Sequence, residues 1–168
     1  CVKGLSNSIV IGILASIVSS IVALIFGIAA AVFGKWVDKV VNWGVDLCMG
    51  LPHLVLLMLI SFMLGKGVKG VTIAVALTHW PSLTRIVRSE VMQIRSSQYV
   101  QAAYKMGISK WKVAVTHIVP HVLPSYLIGL VLLFPHAIMH EASITFLGFG
   151  LPAEMPAIGV ILSEAMKH

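Results

Sequence analysis

From Ile9 to Phe33 the chain carries no charged side chain. Its only breaks are small or hydroxylated residues: Gly12, Ser16, Ser19, Ser20 and Gly27. Roughly 20 apolar residues in a helix cross a hydrocarbon core, and in lipid a helix is favoured because it pairs its own backbone N–H and C=O groups. This run exceeds that length and commits the chain to a membrane. Its small residues let helices approach closely, and its serines can bond back to the helix or across to a neighbour.

The remaining composition agrees. Hydrophobic residues make up 58% and charged residues 11%, against about 25% charged in soluble proteins. Mean hydropathy is +0.98. Twelve basic and six acidic residues cannot cover the surface of a soluble fold of this size. The same apolar content excludes intrinsic disorder. Cys1 and Cys48 alone exclude a disulfide scaffold, and Cys48, inside an apolar run, reads as inert. The net charge of +6 is not assigned to nucleic acid. Basic residues flank apolar runs, where they set orientation and meet anionic lipid. No cleavable signal peptide is readable, because the first apolar run is too long and more membrane segments follow.

Four spans are expected, at roughly 9–33, 45–64, 71–87 and 123–140. The second holds Asp46 near its start, close to Lys35 and Lys39, which suggests snorkelling or a cation pair. It also holds Pro52, which should kink it. The third is the weakest, interrupted by His79 and Pro81. A polar loop, 88–121, separates it from the fourth, and 141–168 reads as a loop with short helical pieces. Alternation puts Lys35, Lys39, Arg85, Arg88, Arg95, Lys105, Lys110 and Lys112 on one face. Lys3, Lys66, Lys69 and Lys167 fall on the other. The basic-rich face is therefore cytoplasmic, and 141–168 is extracytoplasmic. The expected fold is an all-α, polytopic transmembrane helix bundle in the cytoplasmic (inner) membrane.

Within the cytoplasmic loop, Tyr99, Val100, Gln101, Ala102, Ala103, Tyr104, Lys105, Met106 and Gly107 run into Ile118-Val119-Pro120. Gly107 should end a short amphipathic helix. The two alanines would expose a flat face able to seat in a cleft. This segment resembles the EAA loop of ABC-importer permeases. Phe33-Gly34-Lys35-Trp36-Val37-Asp38, His79-Trp80-Pro81 with Arg85 to Arg88, and Glu141 through Gly150 are similar to blocks of the dipeptide/oligopeptide/nickel permease family, in the same order. The resemblance implies that Tyr99, Gln101, Ala102, Ala103, Gly107 and Pro120 couple the chain to an ATPase, whose closure moves the helix as a lever. It implies a second permease subunit, two cytoplasmic ATP-binding subunits and an extracytoplasmic substrate-binding protein as partners, besides membrane lipid. Gln101 stands where the family often has Glu, and Lys3 to Ser8 lack the Arg usual before the first run here. Against the family, one N-terminal and one C-terminal span are expected to be missing, consistent with a chain that opens on Cys1 and closes on Lys167-His168. The cargo implied is peptide or nickel.

Of seven histidines, His117 and His121 are four apart, as are His136 and His140 with Glu141 adjoining. That spacing places two side chains on one helix face, as two metal ligands require. His136, His140 and Glu141 sit toward the outer end of the fourth span and are candidates for the substrate pathway, with packing as the plain alternative. No firm metal site is assigned. An intramembrane hydrolase would need His-Glu-x-x-His, but Ile144 occupies the place of the second His. No phosphate-cradling loop ending in Gly-Lys-Ser/Thr occurs, so ATP would be hydrolysed by a partner. Neither a catalytic residue nor a cofactor is expected, and the chain is read as a non-enzyme.

Overall fold

The computed structural model describes residues 2–166. Cys1, Lys167 and His168 lie outside the described residues, as do the side chains of Val2 and Lys3. The share of the charge argument resting on Lys3 and Lys167 therefore lies outside them too. Among the described residues every regular element is helical: α1 (Val2–Val32), α2 (Lys35–Gly50), α3 (His53–Met63), α4 (Val68–Arg95), α5 (Gln98–Lys105), α6 (Lys110–Val113), α7 (Val119–Phe146) and α8 (Ile158–Ala165).

Pro52 and Pro120 act as their chemistry dictates, and Pro81 does not. Pro52 has no N–H and disfavours the helical region for Leu51, so the expected span 45–64 is divided there into α2 and α3. Pro120 withdraws the donor that the Thr116 carbonyl would use. The preceding turn, Ala114–Ile118, widens to a π-helix, in which the Val119 N–H reaches the Ala114 carbonyl. Pro81, expected to interrupt the third span, instead sits buried inside α4 without ending it. Interior prolines of membrane helices are tolerated where the surroundings compensate.

The end of the expected fourth span is also corrected. Glu141 lies inside α7, which runs on to Phe146, and Ile158–Ala165 forms α8. By length and hydropathy, Gly4–Val32 and Lys110–Phe146 can each cross a membrane, and α2 with α3 makes a third if the broken pair is one span. α4 is 28 residues long, ample for a bilayer at 1.5 Å rise per residue. Its Thr, His, Ser and Arg content keeps it out of that set.

The chain divides into two compact units. One comprises the described residues up to Ser19, Cys48–His79, and the described residues from Val131. Its core is Ile11, Ala15, Leu57, Val71, Val75, Ala137, Ile144 and Val160. The Ser19 hydroxyl donates to the Ala76 carbonyl at 2.5 Å, and that of Ser61 to the Phe149 carbonyl at 2.9 Å. The other unit comprises Ser20–Leu47 and Trp80–Leu130. There Ala30, Val41 and Val45 are buried, with Val37 and Trp80 packed on them. The Phe26 and Trp80 rings meet edge-on at 5.3 Å, and the Tyr126 hydroxyl bonds Ser20 Oγ at 3.0 Å. Apolar side chains left outward, such as Ile13, Val18, Ile25 and Leu132, suit contact with lipid.

Candidate functional site

α5 is two turns long, and its faces are sharply divided. Val100 and Ala103 are buried, while Tyr99, Gln101, Ala102 and Lys105 are exposed. The helix stops at Lys105 because Gly107 takes φ +79, which an L side chain rarely adopts. The Gly107 N–H then reaches the Tyr104 carbonyl at 3.1 Å, and the Ile108 N–H reaches that of Ala103 at 3.2 Å. These two bonds form a Schellman cap. The sequence reading needs one correction. A helix turns about 100° per residue, so neighbouring alanines cannot share a face: Ala102 is outward, while Ala103 packs inward at 6% exposure.

This short helix is tied to longer ones. Gln101 Nε2 donates to the Arg95 carbonyl at 2.8 Å. Arg95 Nη1 donates to the Ala31 carbonyl at 2.6 Å, one of the acceptors left open at the end of α1. Two turns earlier on that face of α4, Arg88 grips both carboxylate oxygens of Asp38, at 2.5 and 2.8 Å. Asn42 donates to the same carboxylate at 2.8 Å. Asp46 pairs with Arg85 at 2.7 Å rather than with Lys35 or Lys39. Pro120 is exposed just past the π-turn, and the rings of Tyr99 and His117 meet at 6.1 Å.

The histidines assemble differently from their spacing. His53 at the start of α3, His79 within α4 and His140 within α7 present ring nitrogens within 4.8 Å of one another. Ring centroids are 4.8, 4.4 and 5.0 Å apart. His136 is exposed, and its ring lies 6.3 Å from that of His140. Glu141 is fully buried and accepts from Thr145 Oγ1 at 2.8 Å. Thus His140 joins two histidines that spacing did not group, while His136 stays beside it as the i, i+4 spacing implies. The available signal was compositional: His53 and His79 are imidazoles in the middle of apolar runs.

The family model described as binding-protein-dependent transport system inner membrane component matches residues 23–166. The chain belongs to this family. It is 31% identical over 163 residues to the oligopeptide transport system permease protein OppC of Bacillus subtilis (strain 168), covering 97% of this chain and 53% of that protein. It is 30% identical over 166 residues to the dipeptide transport system permease protein DppC of Alkalihalophilus pseudofirmus, covering 99% and 55%. With DppC of Bacillus subtilis the identity is 26% over 163 residues, covering 97% and 51%. The chain spans about half the length of the curated relatives it matches.

In this inner-membrane component the Asp38–Arg88 pair ties α2 to α4. Asp38→Asn leaves the half-buried Arg88 guanidinium without its carboxylate, and removing one partner of such a pair is destabilising. The thermal midpoint of the detergent-solubilised chain should therefore fall at neutral pH. An unchanged midpoint would refute the assignment.

Proposed function

We propose that this chain is part of the membrane permease subunit of an ATP-driven importer that carries peptides into the cytoplasm. In this reading α5 is the seat for a cytoplasmic ATPase. The observation that carries it is the outward face of Tyr99, Gln101, Ala102 and Lys105, held to α4 through Gln101 and closed by Gly107. A short helix bonded to the end of a long one can pass a push along it without bending. The relatives named for dipeptide and oligopeptide transport support peptide as cargo. The proposed assembly has a second permease subunit, two ATP-binding subunits on the basic face and a substrate-binding protein on the other. α4 serves as a crossing helix, which puts 88–121 in the cytoplasm and the 147–157 loop with α8 outside.

Cross-linking tests the seat directly. Ala102→Cys in the complete importer should cross-link in membranes to a cysteine placed on the ATPase, with a yield that changes when ATP binds. The Ser82→Cys protein, whose residue is exposed on α4, should give none. No Ala102 adduct in any nucleotide state would remove the reading. A metal ion or chelate as cargo is the second reading, favoured only by the histidine cluster of His53, His79 and His140.

A further inference from the structure

We infer that His53, His79 and His140 together form a binding site for one divalent transition-metal ion. The inference rests on three helices of one compact unit and stands apart from the ATPase-coupling reading.

The strongest evidence is the state of His79. Its Nδ1 lies 2.8 Å from the Val75 carbonyl and 3.2 Å from Thr78 Oγ1. A carbonyl oxygen only accepts, so Nδ1 carries the proton, and in the neutral ring the lone pair sits on Nε2. A backbone carbonyl on one ring nitrogen is the usual means of fixing the other for a metal. His79 is 6% exposed, and its Nε2 meets no hydrogen-bond partner among the described residues. Nε2 of His53 is likewise buried and unpartnered.

Two orphaned imidazole nitrogens in a cluster of three packed rings are costly if nothing joins them. A buried polar atom without a partner keeps the full cost of its desolvation. Ring packing at 4.4–5.0 Å leaves that cost in place, whereas a shared cation removes it. The donors now lie within 4.8 Å of one another. An ion with metal–nitrogen bonds of about 2.0–2.1 Å draws them closer, a change that rotation about the histidine side-chain bonds supplies. The chemistry selects the ion. Three imidazoles suit zinc, nickel, cobalt or copper, while magnesium and calcium prefer oxygen donors. A three-nitrogen set also leaves one position of a tetrahedron open for water, an anion or a ligand on the ion itself.

The test uses the assembled transporter in lipid nanodiscs, titrated with Co²⁺ alone. One equivalent per copy of this chain should bind with visible ligand-field absorption, and Mg²⁺ in excess should leave it bound. His79→Gln and His140→Gln should each weaken binding by about tenfold or more, the loss expected of a removed ligand if second-shell changes alone reach that size. His121→Gln, exposed on α7, should bind as the wild type does. A second measurement needs no variant: Cu²⁺ bound to the wild-type transporter should show nitrogen hyperfine structure from three imidazoles. Co²⁺ binding that is unchanged in the His53→Gln, His79→Gln double variant, no binding at all, or a copper spectrum without imidazole nitrogen would each overturn the site. None of these outcomes bears on ATPase coupling.

Discussion

In the proposed importer, replacing Gly107 with Val should cut ATP-driven uptake about tenfold or more, while the chain still inserts and assembles. The reason lies in the backbone. Gly107 sits at φ +79, where an L residue pays roughly 1–2 kcal/mol and a β-branched one more. About 1.4 kcal/mol is a factor of ten in population. Two hydrogen bonds depend on that conformation, from Gly107 to Tyr104 and from Ile108 to Ala103. Without them α5 loses its stop and the chain no longer turns cleanly into the Ser109 cap of α6. Crowding can be separated from conformation here, because a Cβ at position 107 would meet nothing within 4 Å. A graded series follows. Gly107→Asn, which tolerates the left-handed region, should keep most activity, Gly107→Ala less, and Gly107→Val least. ATPase activity should persist in all three but lose its response to substrate in the last. Equal uptake by all three variants would mean that the cap is not part of the coupling path.

Several elements were readable from sequence because their cause is local. The uncharged run 9–33 became α1, Gly107 ended α5, and Pro52 divided α2 from α3. Each depends on a residue and its immediate neighbours. Errors arose where distant segments decide. Pro81 is carried through by what packs around α4, and α7 runs past the expected end at 140 to Phe146, while α8 is one of the short helical pieces expected in 141–168. The two faces of α5 are set by helix geometry alone. One turn of helix cannot show two adjacent alanines to one partner, and the burial of Val100 already assigns Ala103 to the inner side. The histidines show the limit most plainly. Spacing of four pairs His136 with His140, but His140 faces His53 and His79, which come from two other helices. No periodicity within one segment encodes that meeting. The only clue was the presence of imidazoles deep in apolar runs.

Replacing Gly159 with Val should loosen the α7–α8 end of its unit more than any surface change in the chain. α8 meets α7 through backbone at this point. A Cβ on Gly159 would collide with the Ala142 carbonyl oxygen and lie 2.7 Å from Thr145 Cβ and 2.9 Å from the Phe146 nitrogen. None of these is the tip of a flexible side chain, so α8 itself must move. Its displacement uncovers Ala157 and Val160, both buried. It also strains the bond from the Ile158 N–H to Ser8 Oγ at 3.4 Å and that from Asn7 to the Pro156 carbonyl at 3.0 Å. Overpacking of this kind costs about 1–3 kcal/mol and more where backbone must shift. The thermal midpoint should fall, and amide exchange should accelerate selectively over 147–166. Gly50→Ala is the matched control, since a Cβ there meets nothing within 4 Å and Gly50 does not take positive φ. Its midpoint should stay at the wild-type value. If Gly159→Val unfolds alongside Gly50→Ala with unchanged exchange, the close approach of α8 to α7 is not what holds this end together.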